Sequence, residues 1–451
     1  MHRRVNSLLS SLLPKETTTA TMSAPGSPTM LPRWAKVDKF SSLSSTPKMI
    51  FAGAAAVLTL FLVLTLSQTQ SSPLRSRTTS HSDQHDPIDD VFNSTLGFQK
   101  ILVINMPSRS DLRDAMALAA GYTNLQVEFV DGVSIKPEDF NEMLLPAEHP
   151  EIEKYTDQSD MKKLKGRLGN LGSWRAHMNA IRTIVEQNLT SALILEADVD
   201  WDIRIHQQIK GFARALRLLV QPVKGTKDAF LDPTYPYAQE GQQFSEFEVD
   251  RHEVSAPSTS PFGDTDRWDM LWLGHCGVQF PNADNPNVHV PLGRAIINHD
   301  ETVPEPQHIQ REWGSSDLTD RYPAHTRVVS RARNNVCSLA YAFTQQGARN
   351  ALWELGLRKM NSAFDIMLRD TCDGTSNRSM STCLSVVPQL FQHHMPVGKT
   401  FSNIHGHAGG ANKKAFTNNI RWSTKSNLKK LVVHDTDYID LWPDAEDKKP
   451  E

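Results

Sequence analysis

The sequence predicts an α/β domain, a mostly parallel sheet with helices on both faces, carried behind one N-terminal membrane-spanning helix. Three features predict it. Short apolar runs alternate with helix-like stretches from Lys100 onward, a long run over Met49 to Leu66 is apolar except at Gly53, Thr59 and Thr65, and one apolar strand leads straight into a row of carboxylates. The chain has 451 residues, with 48 Lys and Arg against 51 Asp and Glu. That length suits a domain with a sizeable core. The near balance of charge, with no Lys/Arg stripe interleaved with aromatics, predicts no nucleic-acid partner.

Taken in chain order, residues 1–48 are rich in Ser, Thr and Pro without periodicity and read as a disordered cytosolic tail. Residues 49–66 span about 27 Å as a helix, enough for a thinner bilayer of the early secretory pathway. Seven basic side chains precede this run against Glu16 and Asp38, whereas Asp83, Asp86, Asp89 and Asp90 outnumber Arg75 and Arg77 after it. The positive-inside rule therefore places the long C-terminal part across the membrane. A cleaved signal peptide would begin much nearer the N-terminus. The expectation is a single-pass type II protein of the Golgi or endoplasmic reticulum membrane. Its parts are a stem over 67–95, a lumenal domain over 96–440 and a charged tail over 441–451.

Within the domain, Lys100–Asn105, Gln126–Val130, Ser191–Leu195, Asp269–Leu273 and Ser338–Phe343 read as strands. Helices are expected over about Leu112–Ala120 and Ser173–Gln187. Residues 221–267 and 281–326 are long, polar and Pro-rich, the mark of functional or disordered loops. Three Asn-x-Ser/Thr triplets, at Asn93, Asn188 and Asn377, are compatible with a lumenal domain. Four cysteines are too few for a disulfide scaffold, and no CxxC pair suggests zinc. Cys276, Cys337, Cys372 and Cys383 allow three pairings; the short Cys372/Cys383 separation favours that pair, with buried free thiols as the alternative.

The most informative segment is Leu193-Ile-Leu-Glu-Ala-Asp-Val-Asp-Trp-Asp202. Glu196, Asp198, Asp200 and Asp202 occupy alternate positions, which in extended chain project to one side. They follow an apolar strand, and the C-terminal end of such a strand is where open α/β sheets bind ligands. Oxygen ligands favour a hard cation, Mn²⁺ or Mg²⁺, over zinc. A cation there would offset the mutual repulsion and clamp a substrate diphosphate. The plain alternative is an exposed acidic turn.

Several segments in order then resemble glycosyltransferase family 25, which includes bacterial lipopolysaccharide and animal procollagen galactosyltransferases. They are Ile104-Asn-Met-Pro-Ser-Arg-Ser-Asp111, Val130-Asp-Gly132, Gly172-Ser-Trp-Arg-Ala-His177, Leu195-Glu-Ala-Asp198, Asp269-Met-Leu-Trp-Leu-Gly274, Ala340 to Ala348 and Phe364-Asp-Ile-Met-Leu368. The similarity runs from about Lys100 to Phe401. It implies a GT-A type, Rossmann-like nucleotide-sugar fold, a UDP-sugar donor with galactose favoured, a divalent metal and inversion at the anomeric carbon. It further implies that Ser108, Arg109 and Asp111 contact the nucleotide, with His177 and Glu196 also on the donor. Asp198 and Asp200 would bind metal, and Asp365 would be the general base on a hydroxyl of a glycan or glycoprotein acceptor. Such folds bring a late histidine to the metal or diphosphate; His393, His394 and His405 qualify, and His394 is taken forward. The chain departs from the family at Ser173, Ala176 and Ala197, where family members carry Cys, Ser and a middle carboxylate.

Other candidates have plainer readings. His177 lies within an amphipathic helix and fits a structural role as well as a donor contact. Arg331 and Arg333 fit phosphate or an ordinary polar surface, and Trp268, Trp272 and Trp353 fit sugar stacking or core. His275 and Cys276 have no partner at ligand spacing, and Gly398-Lys-Thr400 lacks the earlier glycine of a phosphate loop. Two other function classes remain: a non-catalytic lumenal binding protein, motivated by Ala197, and a metal-dependent hydrolase resting on the acidic cluster alone.

Overall fold

The computed structural model describes residues 86–136, 146, 161–282, 290–311, 317–402 and 406–445. The expected cytosolic tail, the membrane helix over 49–66 and most of the stem lie outside the described residues, as does His405. Among the described residues no helix is long and apolar enough to cross a membrane.

The chain alternates strand and helix as expected. β1 (Lys100–Asn105), α1 (Ser110–Tyr122), β2 (Val127–Asp131), α2 (Met161–Glu186) and β3 (Ser191–Glu196) come first. Next come β4 (Val199–Trp201), α3 (Ile205–Val220), β5 (Glu246–Glu248), β6 (Met270–Gly274) and β7 (Arg294–Ile297). After α4 (Asp317–Arg321), β8 (Arg327–Arg331) and β9 (Ala340–Thr344) lie α5 (Gln345–Ala351) and α6 (Phe364–Asp373). The C-terminal part holds β10 (Cys383–Val387), β11 (Phe391–Met395), the hairpin β12 (Gly398–Ser402) and β13 (Gly406–Asn412), β14 (Phe416–Thr417) and α7 (Leu428–Val432).

Hydrogen bonding orders the main sheet β2-β1-β3-β9-β6-β10-β8-β7-β5. β2, β1 and β3 are mutually parallel, and β10 and β6 are parallel. β9 lies antiparallel to both β3 and β6, so those two point the same way. β8 is antiparallel to β10 and β7, and β5 follows β7 in parallel. The sheet is thus largely parallel in strand direction, with β9 and β8 reversed. The two long loops do more than connect, because β5 and β7 come from them and extend this sheet.

Period-two alternation divides the core between the two faces. Ile101, Val103, Leu193, Leu195, Ala340, Ala342, Leu271 and Leu273 pack on one face against Ile205, Ile209, Phe212 and Leu216 of α3. Leu102, Ile194, Tyr341, Phe343, Met270 and Trp272 pack on the other against Trp174, Met178, Ile181 and Ile184 of α2 and against Phe364 and Met367 of α6. Each such fully buried aliphatic side chain contributes about 1.5–3 kcal/mol. α3 was not expected from the sequence, although Ile205, Ile209, Phe212 and Leu216 recur at helical spacing with polar residues between them, the pattern of an amphipathic helix. α6 ends at Gly374, whose φ of +65° supplies the left-handed terminus that glycine tolerates best.

Both predicted domain edges shift. Pro87–Phe92 forms a 3-10 turn, Val91 and Leu96 are fully buried, and Asp86 pairs with Arg217 at 2.9 Å. Residues 86–95 therefore belong to the folded domain. At the other end Asp444 pairs with Arg421 at 3.0 Å, and the Trp442 indole N–H donates to the Thr417 carbonyl. The beginning of the expected tail is thus docked as well. The cysteines form two disulfides, Cys276–Cys337 and Cys372–Cys383, which bears out the favoured pair and removes the free-thiol alternative.

Candidate functional site

A cleft of about 740 Å³ opens where β1 and β3 end, lined by residues from the β1–α1 loop, the loop after β2, α2, the turn after β3, residues 337–339, the start of α6, and His393. Close backbone approach shapes one wall. A Cβ at Gly172 on α2 would come within 2.3 Å of the Val133 carbonyl oxygen, so only glycine lets the helix sit against this loop.

The carboxylate row does not stay on one side. β3 ends at Glu196, Ala197 and Asp198 form a turn, and the chain re-enters extended structure at Val199. Alternation holds only along continuous strand, so the turn resets it. Glu196 and Asp198 line the cleft, whereas Asp200 and Asp202 are 0% exposed. Ala197, also buried, packs in the apolar cluster.

Asp200 is therefore not placed as a metal ligand. Its carboxylate accepts from the Trp201 and Lys425 backbone N–H groups at 2.8 and 3.0 Å, from Thr417 Oγ1 at 2.7 Å, and from Ser423 Oγ. Burial pushes its pKa up, but His394, Lys425 and Ser423 outweigh that and hold it below the ordinary value. Asp202 meets the opposite balance. It accepts from the N–H groups of Arg204 and Trp422, and burial raises it to about 6.

His394 is likewise displaced from the proposed metal position. Neighbouring residues of a strand face opposite ways, and β11 is registered by Gln392 opposite Asp200 and His393 opposite Val199. His394 Nδ1 lies 3.1 Å from Thr417 Oγ1 and 3.5 Å from Asp200, behind the site. His393 faces the cleft. Carboxylate oxygens of Glu196 and Asp198 and a ring nitrogen of His393 lie within 4.8 Å of one another. His393 Nε2 is 3.8 Å from Asp198 Oδ2, and Asp198 Oδ1 is buried without a hydrogen-bond partner. Two carboxylates, one of them with an orphaned oxygen, and an imidazole make a donor set able to hold a divalent cation.

Glu196 is held from behind. Ser338 Oγ donates to Glu196 Oε1 at 2.9 Å, and His177 Nε2 lies 3.5 Å from the same oxygen. His177 Nδ1 is 2.7 Å from the Tyr341 hydroxyl, and its ring stacks on Phe364 at 4.2 Å. The buried His177 thus lines the cleft and has a structural role. Arg109 lines it too, gripped by Asp111 through bonds of 2.8 and 2.7 Å that raise its pKa. Asp111 and Ser108 are not among the cleft-lining residues; Asp111 acts on the site through Arg109, and Ser108 is exposed at the loop. Asp365, in the first turn of α6, lines the cleft and accepts from the Cys337 backbone N–H at 2.9 Å.

Lys425 is a site component that sequence reasoning missed. Fully sequestered, it donates from Nζ to the Ala197 carbonyl at 3.0 Å; burial lowers its pKa against the pull of Asp200, Asp198 and Asp111. No local pattern marks it, because its partners lie more than two hundred residues away. Other candidates resolve elsewhere. Trp268 and Trp272 are core, and Trp353 is exposed outside the cleft. Cys276 is disulfide-bonded, and burial pushes His275 down to about 4. Arg331 and Arg333 are buried and do not line the cleft, and Lys399 lies on β12.

Fold and site together define an α/β protein with an acidic, ligand-sized cleft at the C-terminal ends of parallel strands, the usual ligand position in such sheets. Residues 98–246 match the sequence model of glycosyltransferase family 25 (LPS biosynthesis protein), which suggests a glycosyltransferase. The matched stretch bears out the resemblance from β1 through α3 and contains Arg109, His177, Glu196 and Asp198; the segments from Asp269 onward, with Asp365 and His393, lie beyond it. No curated protein matches the chain.

Proposed function

We propose that this protein is a metal-assisted, inverting glycosyltransferase that moves a hexose, with galactose favoured, from a UDP-sugar to a hydroxyl of a glycan or glycoprotein. The carrying observation is the convergence of Glu196, Asp198 and His393 in the cleft, with Asp198 Oδ1 unsatisfied. These three residues would hold Mn²⁺ or Mg²⁺, which would neutralise the donor diphosphate and stabilise the departing nucleotide. Arg109, held by Asp111, brings a guanidinium into the same cleft. Asp365 takes the proton as the acceptor oxygen bonds to the anomeric carbon and the bond from that carbon to the diphosphate oxygen breaks, releasing UDP. Ala197 also lines the cleft, so the middle carboxylate is missing there, while the acids on either side of it, Glu196 and Asp198, remain in place to act.

The test uses the full chain with a panel of nucleotide sugars and acceptors, with Mn²⁺ and with chelator. Asp198→Ala and His393→Ala are each expected to weaken Mn²⁺ binding, read by calorimetry, by roughly 10-fold or more. His394→Ala should weaken it far less. Unchanged Mn²⁺ affinity in both Asp198→Ala and His393→Ala would sink the metal assignment.

The same reading places the domain in the lumen of the Golgi or endoplasmic reticulum, anchored by residues 49–66. Two disulfides support it, as do Asn93, Asn188 and Asn377, which are all exposed. Chain expressed in secretory cells should lose mass on enzymatic removal of N-glycans, in steps abolished by Asn→Gln at these positions. A chain whose mass does not change with that treatment argues against lumenal placement.

A further inference from the structure

We propose that the Cys276–Cys337 disulfide is a positioning device for the reaction, holding the turn whose backbone N–H orients the proposed base. The inference rests on the transferase reading. Residues 337–339 touch the two halves of the cleft at once. The Cys337 N–H donates to Asp365 Oδ2 at 2.9 Å, Ser338 Oγ donates to Glu196 Oε1 at 2.9 Å, and the Glu196 N–H donates to the Leu339 carbonyl at 2.9 Å. Glu196 is fixed independently by its place on β3, paired with Ile104 of β1, whereas Asp365 takes its hydrogen bond from the turn.

The turn does not hold itself. Cys337 has a φ of +64°, a left-handed conformation uncommon for a residue with a Cβ. Its restraints come from the sheet. Cys276 lies two residues beyond the end of β6 and carries the bond to Cys337. The Cys276 N–H donates to the Val336 carbonyl at 2.9 Å, Gly277 and Val336 form an antiparallel bridge, and the Trp272 indole N–H donates to the Cys337 carbonyl at 2.9 Å. The disulfide therefore links the base-orienting N–H to the central sheet by a covalent path. It is also the accessible one of the two. Cys337 lines the cleft, whereas Cys372 and Cys383 are 2% and 1% exposed.

The test compares the full chain with a Cys276→Ala/Cys337→Ala variant, each with and without Asp365→Asn. Loss of the bridge should lower transfer kcat roughly 10- to 100-fold, the scale of a small misplacement of reacting groups. UDP affinity should change less than about twofold if only the base and its turn move. In the Asp365→Asn background the further loss should shrink to about twofold or less, because the group being positioned is already disabled. A merely structural bridge would cost the same factor in both backgrounds.

Should the double variant fail to fold, the native protein is reduced stepwise with dithiothreitol. Each opened bridge takes up two electrons and two protons as the reagent is oxidised to its own disulfide. Alkylation and mass spectrometry identify which pair has opened, and transfer should fall in step with Cys276 and Cys337 thiols while UDP binding persists. Transfer that survives opening of that pair, or an equal loss in the Asp365→Asn background, overturns the proposal alone. A folded wild-type chain that releases nucleotide from no donor overturns the transferase reading and this inference with it.

Discussion

Asparagine at position 365 should leave UDP and Mn²⁺ binding within about twofold while lowering kcat by roughly 10²–10⁴-fold, the usual worth of a general base. Asp365→Asn is close to isosteric and keeps an oxygen that accepts from the Cys337 N–H, so the turn and the start of α6 are undisturbed. What it loses is the ability to take a proton. A fall in kcat without a matching rise in donor KM separates that loss from damage to the nucleotide site. Steady-state kinetics across donor and acceptor concentrations reads the split directly. Full kcat in this variant would remove Asp365 from the chemistry and send the search for a base to other cleft-lining groups.

Asp200→Ala is expected to act on stability and to spare the metal site. Removing one partner from a buried charge cluster costs about 3–5 kcal/mol, and here the buried Lys425 would lose the carboxylate that most favours its charge. The Thr417 and Ser423 hydroxyls and the Trp201 and Lys425 N–H groups would lose their shared acceptor at the same time. These contacts tie the segment 417–425 beneath the acidic turn, so its undocking should accompany the loss. Denaturant unfolding measures the cost, and calorimetry on the folded variant measures Mn²⁺ affinity. A variant of unchanged stability that no longer binds Mn²⁺ would restore Asp200 as a ligand.

The contrast between Asp198 and Asp200 shows how local pattern and tertiary path divide the labour. The apolar runs that become β1, β3, β6 and β9 were legible because burial on two faces demands near-continuous hydrophobic stretches, and the edge strand β2 by its alternation of apolar and polar residues. Of their flanking helices, α1 and the C-terminal part of α2 declared themselves by spacing, whereas α3, α5 and α6 were not expected. The acidic segment after β3 was legible too, and so was its place at a strand's ligand-binding end. Its inner geometry was not. A two-residue turn at Ala197 and Asp198 left no distinct mark in the sequence, and it decides which carboxylates reach the cleft.

By itself the sequence determined the α/β class, the positions of five central strands along the chain, the family resemblance later matched over residues 98–246, and the inventory of groups able to do the chemistry. Those properties follow from residues near one another in the chain. Only the tertiary structure decided that β9 runs against its neighbours, that His393 rather than His394 meets Glu196 and Asp198, and that Lys425 sits under the acidic turn. It likewise decided that Cys337 hands its N–H to Asp365. Each of these is set by pairing between segments far apart in sequence, where a one-residue change of register turns every side chain to the opposite face.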